Sequence, residues 1–239
     1  METTENKTLL DAGASLAGPS FAAPSGRRRS SDRPHQENRM TTGGLILFYD
    51  TETTGLPDFK APSEADHQPH IVQIAAAVVD ASTRKVLSSL DLMVRPNGWV
   101  IPAEVSAIHG ITTEKAGDIG VSEDVALSAF LELWRGKVRV GHNESFDARI
   151  IRIAMMRYAA IGADEWKDGR AECTAKLATP ICKLPPTDRM LAAGRRHYKT
   201  ANLTEAYRHL VGLELENAHS ATADVAACMA VYFAIKDQA

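Results

Sequence analysis

The chain has 239 residues, of which 44% are hydrophobic and 24% are charged, and its formal net charge is −3. This length fits one medium-sized domain with or without a tail, and the composition allows a core of ordinary size. A negative net charge excludes binding to nucleic acid through an overall positive charge, so such binding would need local basic segments. The absence of any run of about 18 apolar residues excludes a membrane-spanning helix.

The first part of the chain differs in composition from the rest. Residues 1–44 are rich in Ala, Ser, Gly, Pro and Thr and show no period of a helix or a strand. Such a segment buries too little apolar surface to offset its ordering entropy, so a disordered tail is predicted at 1–44 and a folded domain at 45–239. Met40 stands just before the first predicted strand, and one hypothesis is that it is the native start.

Apolar periodicity in the folded domain predicts an α/β protein. Three β-rich runs come first, a helix and a short strand follow, and helices close the chain. The predicted strands are 45–49, 70–80, 88–94 and 138–140, and the predicted helices are 123–134, 148–160, 203–210 and 221–235. The three cysteines have no zinc-like spacing, which favours free thiols in a reducing cytoplasm.

The first polar motif lies at the end of the first predicted strand. Asp50 and Glu52 are two residues apart, so on a strand their carboxylates point to the same face. Like charges this close repel each other and usually hold a cation. Gly55 would then allow a tight turn. By itself the motif fits a solvated strand end equally well.

Two further acidic motifs precede predicted helices. Asp147 follows Asn143 at the start of one helix, where a carboxylate is also favoured by the helix dipole and Asn143 is also a common turn residue. His219 and Asp224 run into the last helix, and both can reach one cleft if His219 lies in the preceding loop. Taken singly, each motif is explained at least as well by helix capping.

Together the motifs resemble those of the DEDDh, or DnaQ-like, 3′–5′ exonucleases, a group that includes the epsilon subunit of DNA polymerase III, RNase T and exodeoxyribonuclease X. The resemblance covers roughly residues 45–235 and includes a His-Gly-Ile segment at 109–111. A sister subgroup has tyrosine four residues before the last acid, where this chain has Ser220. The resemblance implies an RNase H-like fold, with a mixed five-stranded sheet flanked by helices.

The resemblance also implies a chemistry. Two Mg²⁺ or Mn²⁺ ions would be held by Asp50, Glu52, Asp147 and Asp224, with Asp50 bridging both ions. His219 would act as general base, which suits an imidazole at neutral pH. Carboxylates suit these ions because hard cations prefer oxygen ligands.

Contacts with the substrate are predicted around these acids. The backbone near Thr51 to Leu56 would meet the terminal nucleotide, and Leu56 would wedge against its base. Phe146 either stacks on the substrate or packs in the core, and packing is favoured. The predicted substrate-binding residues are Thr51, Thr53, Leu56, His109, Asn143 and Phe146.

Local basic segments are present despite the negative total. The segment 183–199 contains five Lys and Arg residues and Tyr198, which indicates either a nucleic-acid contact or a solvated loop. Arg149 and Arg152 share one helix face and would either line the cleft or face solvent.

The predicted function is hydrolysis of DNA from its 3′ end, releasing nucleoside 5′-monophosphates in replication, repair or proofreading. The expected partners are single-stranded or frayed 3′ ends and a DNA polymerase. One alternative is an exoribonuclease, because the same metal site serves RNA. Another is a non-catalytic module that binds nucleic acid or a polymerase.

Overall fold

The fold is described from a computed structural model, which covers residues 44–216 and 218–238. The predicted tail and the proposed start at Met40 therefore lie outside the described residues, apart from Gly44. No helix within the described ranges is both long enough and apolar enough to cross a bilayer.

A mixed five-stranded sheet forms the centre of the described domain, as predicted. In sheet order the strands are β3-β2-β1-β4-β5. Strand β1 pairs antiparallel with β2 and parallel with β4, while β2–β3 is antiparallel and β4–β5 is parallel. The strands are β1 (Leu45–Thr53), β2 (Ile71–Asp80), β3 (Val86–Met93), β4 (Val138–Gly141) and β5 (Ala171–Cys173).

The described helices flank this sheet. They are α1 (Ala103–His109), α2 (Thr113–Ile119), α3 (Glu123–Trp134), α4 (Glu144–Arg157), α5 (Ala163–Asp168), α6 (Thr174–Cys182), α7 (Asp188–Ala192), α8 (Leu203–Val211) and α9 (Ala221–Lys236). Helices α3, α8 and α9 lie close to their predicted ranges. Helix α4 begins at Glu144, four residues earlier than predicted, because Asn143 adopts a left-handed conformation that turns the chain directly into the helix.

Strand β1 divides the core into two layers. Leu47 and Tyr49 pack on one face of the sheet in a cluster with residues of α3 and α4. Ile46 and Phe48 pack on the other face against α9. Because alternate residues of a strand point to opposite faces, even-numbered residues of β1 face α9 and odd-numbered residues face α3 and α4.

Close packing also fixes the approach of α2 to β3. A Cβ atom added at Gly120 would lie 2.4 Å from the Ala116 carbonyl oxygen and 2.5 Å from the Arg95 nitrogen. The Gly120 N–H donates to that Ala116 carbonyl, and the Val121 N–H donates to Met93. Glycine is therefore required here by the close approach of two backbone segments.

Candidate active site

The first two acids lie where β1 leaves the hydrophobic core. Asp50 and Glu52 follow Ile46 and Phe48 at every second position of β1, so their side chains point to the same face of the sheet, which α9 covers. Asp50 is paired with Ala75 of β2, and Glu52 with Gln73.

Helix α9 supplies the third acid from the same face. Asp224 lies in its first turn, and oxygens of Asp50, Glu52 and Asp224 all lie within 4.8 Å of one another. These residues come from distant parts of the sequence, and each is partly exposed to solvent. Three of the predicted acids are therefore brought together at the carboxyl-terminal end of β1, here called the acidic edge of the sheet.

A hydrogen-bond network that sequence reasoning missed holds the start of α9 in place. The Gln73 Oε1 atom accepts from the Ala221 N–H at 3.4 Å, and its Nε2 atom donates to Asp91 at 2.6 Å. The other oxygen of Asp91 accepts from the Thr222 hydroxyl at 2.6 Å. Gln73 is buried and adjoins Glu52 across the strands, so the network links the positions of Glu52 and Asp224. A buried glutamine within an otherwise apolar strand was the available signal.

The fourth acid is held by β1 itself. Asp147, in the first turn of α4, is buried, and its Oδ1 atom accepts from the Thr51 N–H at 3.0 Å and from the Thr51 hydroxyl at 2.7 Å. Thr51 lies between Asp50 and Glu52, so these two bonds tie α4 to the acidic end of β1. Thr51 was predicted to contact substrate through its backbone; in the structure its N–H and its hydroxyl both serve to position Asp147.

A buried ion pair fixes the start of α4. Glu144 accepts from Arg139 Nε at 2.6 Å and from the Tyr49 hydroxyl at 3.0 Å. The Arg139 guanidinium also lies over the Trp166 ring at 4.2 Å. All of these groups are buried, so removing one partner would leave an uncompensated charge. This support for Asp147 was not predicted from the sequence.

The electrostatics of the four acids favour a cation. Burial, followed by repulsion from Asp147, Asp224 and Glu52, raises the pKa of Asp50 well above its ordinary value. Burial and the charges of Asp224 and Asp147 raise the pKa of Glu52 to about 8. The pKa of Asp147 rises to about 7, mainly through burial, although the bonds from Thr51 oppose the rise. Burial also raises the pKa of Asp224.

This donor set fits hard divalent cations. Every candidate ligand is a carboxylate, as Mg²⁺ and Mn²⁺ prefer, and a 2+ charge would relieve the repulsion that raises the four pKa values. Asp147 is outside the group whose oxygens lie within 4.8 Å of one another, and its Oδ1 atom is bound to Thr51. Its charge nevertheless affects the pKa of both Asp50 and Glu52.

The predicted general base lies beside the acids. His219 is exposed in the turn before α9, and its backbone adopts a left-handed conformation with φ of 67°. Its N–H donates to Asp224 Oδ2 at 3.1 Å. The unusual backbone angle and this bond place the imidazole next to Asp224, with access to solvent.

The loop after β1 is held by arginine. Arg149 Nη2 donates to the carbonyl of Ala61 at 2.5 Å, and Arg157 Nη2 donates to the carbonyls of Gln68 and Pro69 at 2.9 and 3.0 Å. Arg149 therefore holds the loop through its guanidinium, and its side chain stays partly exposed. The described structure shows no hydrogen-bond partner for Arg152 Nε.

The predicted substrate-binding residues occupy different environments. Leu56 is 85% exposed at the tip that follows β1, whereas Thr53 is buried and its hydroxyl donates to the Gly55 carbonyl at 2.7 Å. Asn143 is exposed at the start of α4. Phe146 packs against the core cluster, in line with the favoured reading, but remains partly exposed.

His109 lies at the end of α1, close enough to His219 for a charge on His219 to lower the pKa of His109. The Ile111 N–H donates to its Nδ1 atom at 3.1 Å, so the neutral ring carries its proton on Nε2. Nε2 is buried near the Thr53 backbone, without a hydrogen bond of good geometry among the described residues. Burial lowers the pKa of His109, which keeps the ring neutral.

Comparison with known proteins identifies the family. The model of the exonuclease family named for RNase T matches residues 47–232, which include all four acids and His219. The chain belongs to this exonuclease family. Members of the family depend on metal ions, which agrees with the acidic cluster.

One curated relative is a PolC-type DNA polymerase III of Caldanaerobacter subterraneus subsp. tengcongensis. It is 28% identical over 116 residues, which represent 48% of this exonuclease-family chain and 7% of the polymerase. The matched segment is thus a small part of that much longer protein.

Solved structures of exonuclease I share the fold. A complex of the E. coli enzyme with a dT13 oligonucleotide has a TM-score of 0.62 and 22% identity, covering 81% of this chain and 41% of that one. A zinc-bound form of the E. coli exonuclease I–single-stranded DNA complex has a TM-score of 0.62 and 19% identity, covering 82% and 41%. The chain therefore spans about two fifths of exonuclease I, and the likeness confirms the predicted fold.

Proposed function

We propose that this protein is a 3′–5′ exonuclease that hydrolyses DNA and releases nucleoside 5′-monophosphates. The observation that carries the proposal is the convergence of Asp50, Glu52 and Asp224 within 4.8 Å, beside an exposed histidine. The solved relatives that hold single-stranded DNA support DNA as the polymer. The similarity to a PolC-type polymerase supports work alongside a DNA polymerase.

In the proposed reaction, the oxygen of a water molecule forms a bond to the terminal phosphorus and the bond from phosphorus to the 3′ oxygen breaks. A pair of Mg²⁺ or Mn²⁺ ions would supply activation of the nucleophile and stabilisation of the leaving oxygen. Asp50, Glu52, Asp147 and Asp224 would hold the ions. His219 would accept the proton of the water, and the 3′ oxygen would take up a proton from solvent.

The chain's own residues would position the reacting groups. Thr51 orients Asp147 through two hydrogen bonds, and the Gln73 network fixes the helix that carries Asp224. The His219 ring is free to meet solvent, as a base that accepts a proton from water must be. Leu56, exposed beside the site, would contact the terminal base.

The direct test uses purified protein and oligonucleotides labelled at the 5′ end. A 3′–5′ exonuclease produces a ladder of shortening labelled products, whereas a 5′–3′ enzyme releases the label at once. Parallel reactions contain single-stranded DNA, duplex DNA with a 3′ mismatch, and RNA, each with Mg²⁺, Mn²⁺ or EDTA. Faster degradation of RNA than of DNA would replace the proposal with an exoribonuclease.

Variants connect the activity to the site. Asp224→Asn should abolish the ladder, and His219→Ala should slow it at neutral pH by about 10²-fold or more without weakening Mg²⁺ binding by a similar factor. Binding of Mg²⁺ is measured by titration calorimetry. A parental protein that binds DNA but leaves it intact under all these conditions would instead support a non-catalytic module.

A further inference from the structure

A strongly basic loop lies outside the acidic site. Residues 183–199, here called the basic loop, contain five Lys and Arg residues and one acid, Asp188. The loop connects α6 to α8 and includes the short helix α7, which carries Arg189, and its base is closed by the bond from the Lys199 N–H to the Leu184 carbonyl at 3.0 Å. It concentrates positive charge in a chain whose total charge is negative.

Most of these cations face solvent. Arg189, Arg195 and Arg196 are exposed, and none forms an ion pair with another described residue. Lys199 differs, because it pairs with Glu205 at the start of α8. These exposed cations therefore have no ion-pair partner among the described residues and are available to an external anion.

The fold brings the end of the loop back to the acidic edge. The carbonyl of Ala201, two residues after the loop, accepts from His142 Nε2 at 3.0 Å. His142 directly follows β4, and β4 runs parallel to β1 with Val140 paired to Phe48, two residues before Asp50. At about 3.5 Å per residue, the backbone of Arg196 lies at most about 18 Å from that of Ala201. The loop can therefore meet a nucleic-acid strand that leaves the acidic site.

Hydrogen bonds hold the residues that follow the basic loop in place. His142 also contacts the Thr174 hydroxyl through Nδ1 at 2.9 Å, and burial lowers the pKa of His142 so that the ring stays neutral. On the other side, Asn202 and Glu205 form a reciprocal cap at the start of α8. The point at which the loop rejoins the site is therefore fixed by two elements.

We propose that the basic loop binds the phosphates of a single-stranded polynucleotide a few nucleotides upstream of the bond that is cut. Tyr198, 47% exposed and adjacent to the cations, adds a surface on which a base can stack. The proposal rests on the proposed function for the direction of the strand. The acids then process the end of the strand while the loop retains the rest of it.

The test separates the loop from the acidic site by substrate length. The variant Arg189→Ala/Arg195→Ala/Arg196→Ala should bind a single-stranded 20-mer at least about 10-fold more weakly in EDTA, where nothing is cut. The slope of log affinity against log salt should become shallower by about 2, since each phosphate contact on single strands contributes about 0.7. Hydrolysis of a dinucleotide with Mg²⁺ should keep the parental rate, because that substrate is too short to reach the loop.

A matched control removes the same charge elsewhere. Lys85→Ala/Lys167→Ala/Arg170→Ala deletes three exposed cations at the opposite end of the sheet, near the end of β2 and the start of β5. This control should bind the 20-mer as the parent does. Equal weakening by both triple variants would overturn the proposal, because the effect would then come from net charge alone.

Further measurements also test the proposed role of the basic loop. Tyr198→Ala should weaken binding of the 20-mer and Tyr198→Phe should not. Parental affinity and salt dependence in the loop variant would overturn the proposal, and so would a larger loss on blunt duplex than on single strands. If the parent cuts neither the 20-mer nor the dinucleotide, the proposed function fails, yet binding in EDTA still tests the loop.

Discussion

Replacing Asp50 by asparagine should abolish activity and at the same time make the metal-free protein more stable. Asp50 is surrounded by three other acids, and burial together with their charges raises its pKa well above the ordinary value. A carboxyl group whose pKa is raised by folding contributes its full stability below the unfolded pKa of about 4 and loses it as the pH rises through the folded pKa. Asparagine has a similar shape and carries no charge.

The expected gain follows from the geometry. Two charges at the 4.8 Å limit of the cluster repel each other by about 3 kcal/mol at an effective dielectric constant of 20. Access of solvent to this edge lowers the figure, and we expect a net gain of roughly 2 kcal/mol. For a domain of this size, that corresponds to a rise in Tm of about 4–8 °C at pH 8.

Thermal unfolding in EDTA at pH 5 and pH 8 measures the effect. The gain should be larger at pH 8, because the parental folded state takes up protons near pH 5, where the pKa values of about 8 for Glu52 and about 7 for Asp147 leave those groups neutral. Mg²⁺ should raise the Tm of the parent more than that of Asp50→Asn. Asp168→Asn, at an exposed position on α5, is the control and should change little. A lower Tm for Asp50→Asn than for the parent at pH 8 would refute the electrostatic reasoning.

Three other substitutions test the supporting structure. Thr51→Val removes the hydroxyl bond to Asp147 and should lower kcat about 10-fold, as measured on a labelled oligonucleotide, while Thr51→Ser should restore most of the rate. Gln73→Leu removes hydrogen bonds that hold the start of α9, so the Mg²⁺ concentration needed for half-maximal rate should rise. An unchanged Mg²⁺ dependence would contradict the role of the network. Gly120→Ala should destabilise by about 2 kcal/mol or more in urea unfolding, since its Cβ has no room beside the Ala116 carbonyl; unchanged stability would show that the two segments can separate.

The main elements of the fold could be predicted from the sequence because their signals are local. The apolar run before Asp50, the helical spacing of 123–134 and the long closing helix each carry their pattern within one element. The elements α1, α2, α5, α6, α7 and β5 were missed, whereas β4 and α8, which are equally short, were predicted from their apolar residues. The structure of the missed elements depends on contacts with the rest of the domain.

The acidic site could be predicted only in part. The spacing of Asp50 and Glu52 indicated that they share a face, and the resemblance to a family supplied Asp147, His219 and Asp224 as companions. Gln73 stood out only as a glutamine within an apolar strand. Asp91 and Glu144 carried no signal, since they make their contacts with residues that are distant in the chain, apart from Arg139 near Glu144.

The sequence by itself therefore determined the types of residue available for catalysis and the central elements that carry them. Only the tertiary structure decided that β1 and α9 place three carboxylates within 4.8 Å, and that His142 ties the basic loop to the same edge. The physical reason is that periodicity is a property of neighbouring residues, whereas a cation site depends on distances between strands and helices that only packing fixes.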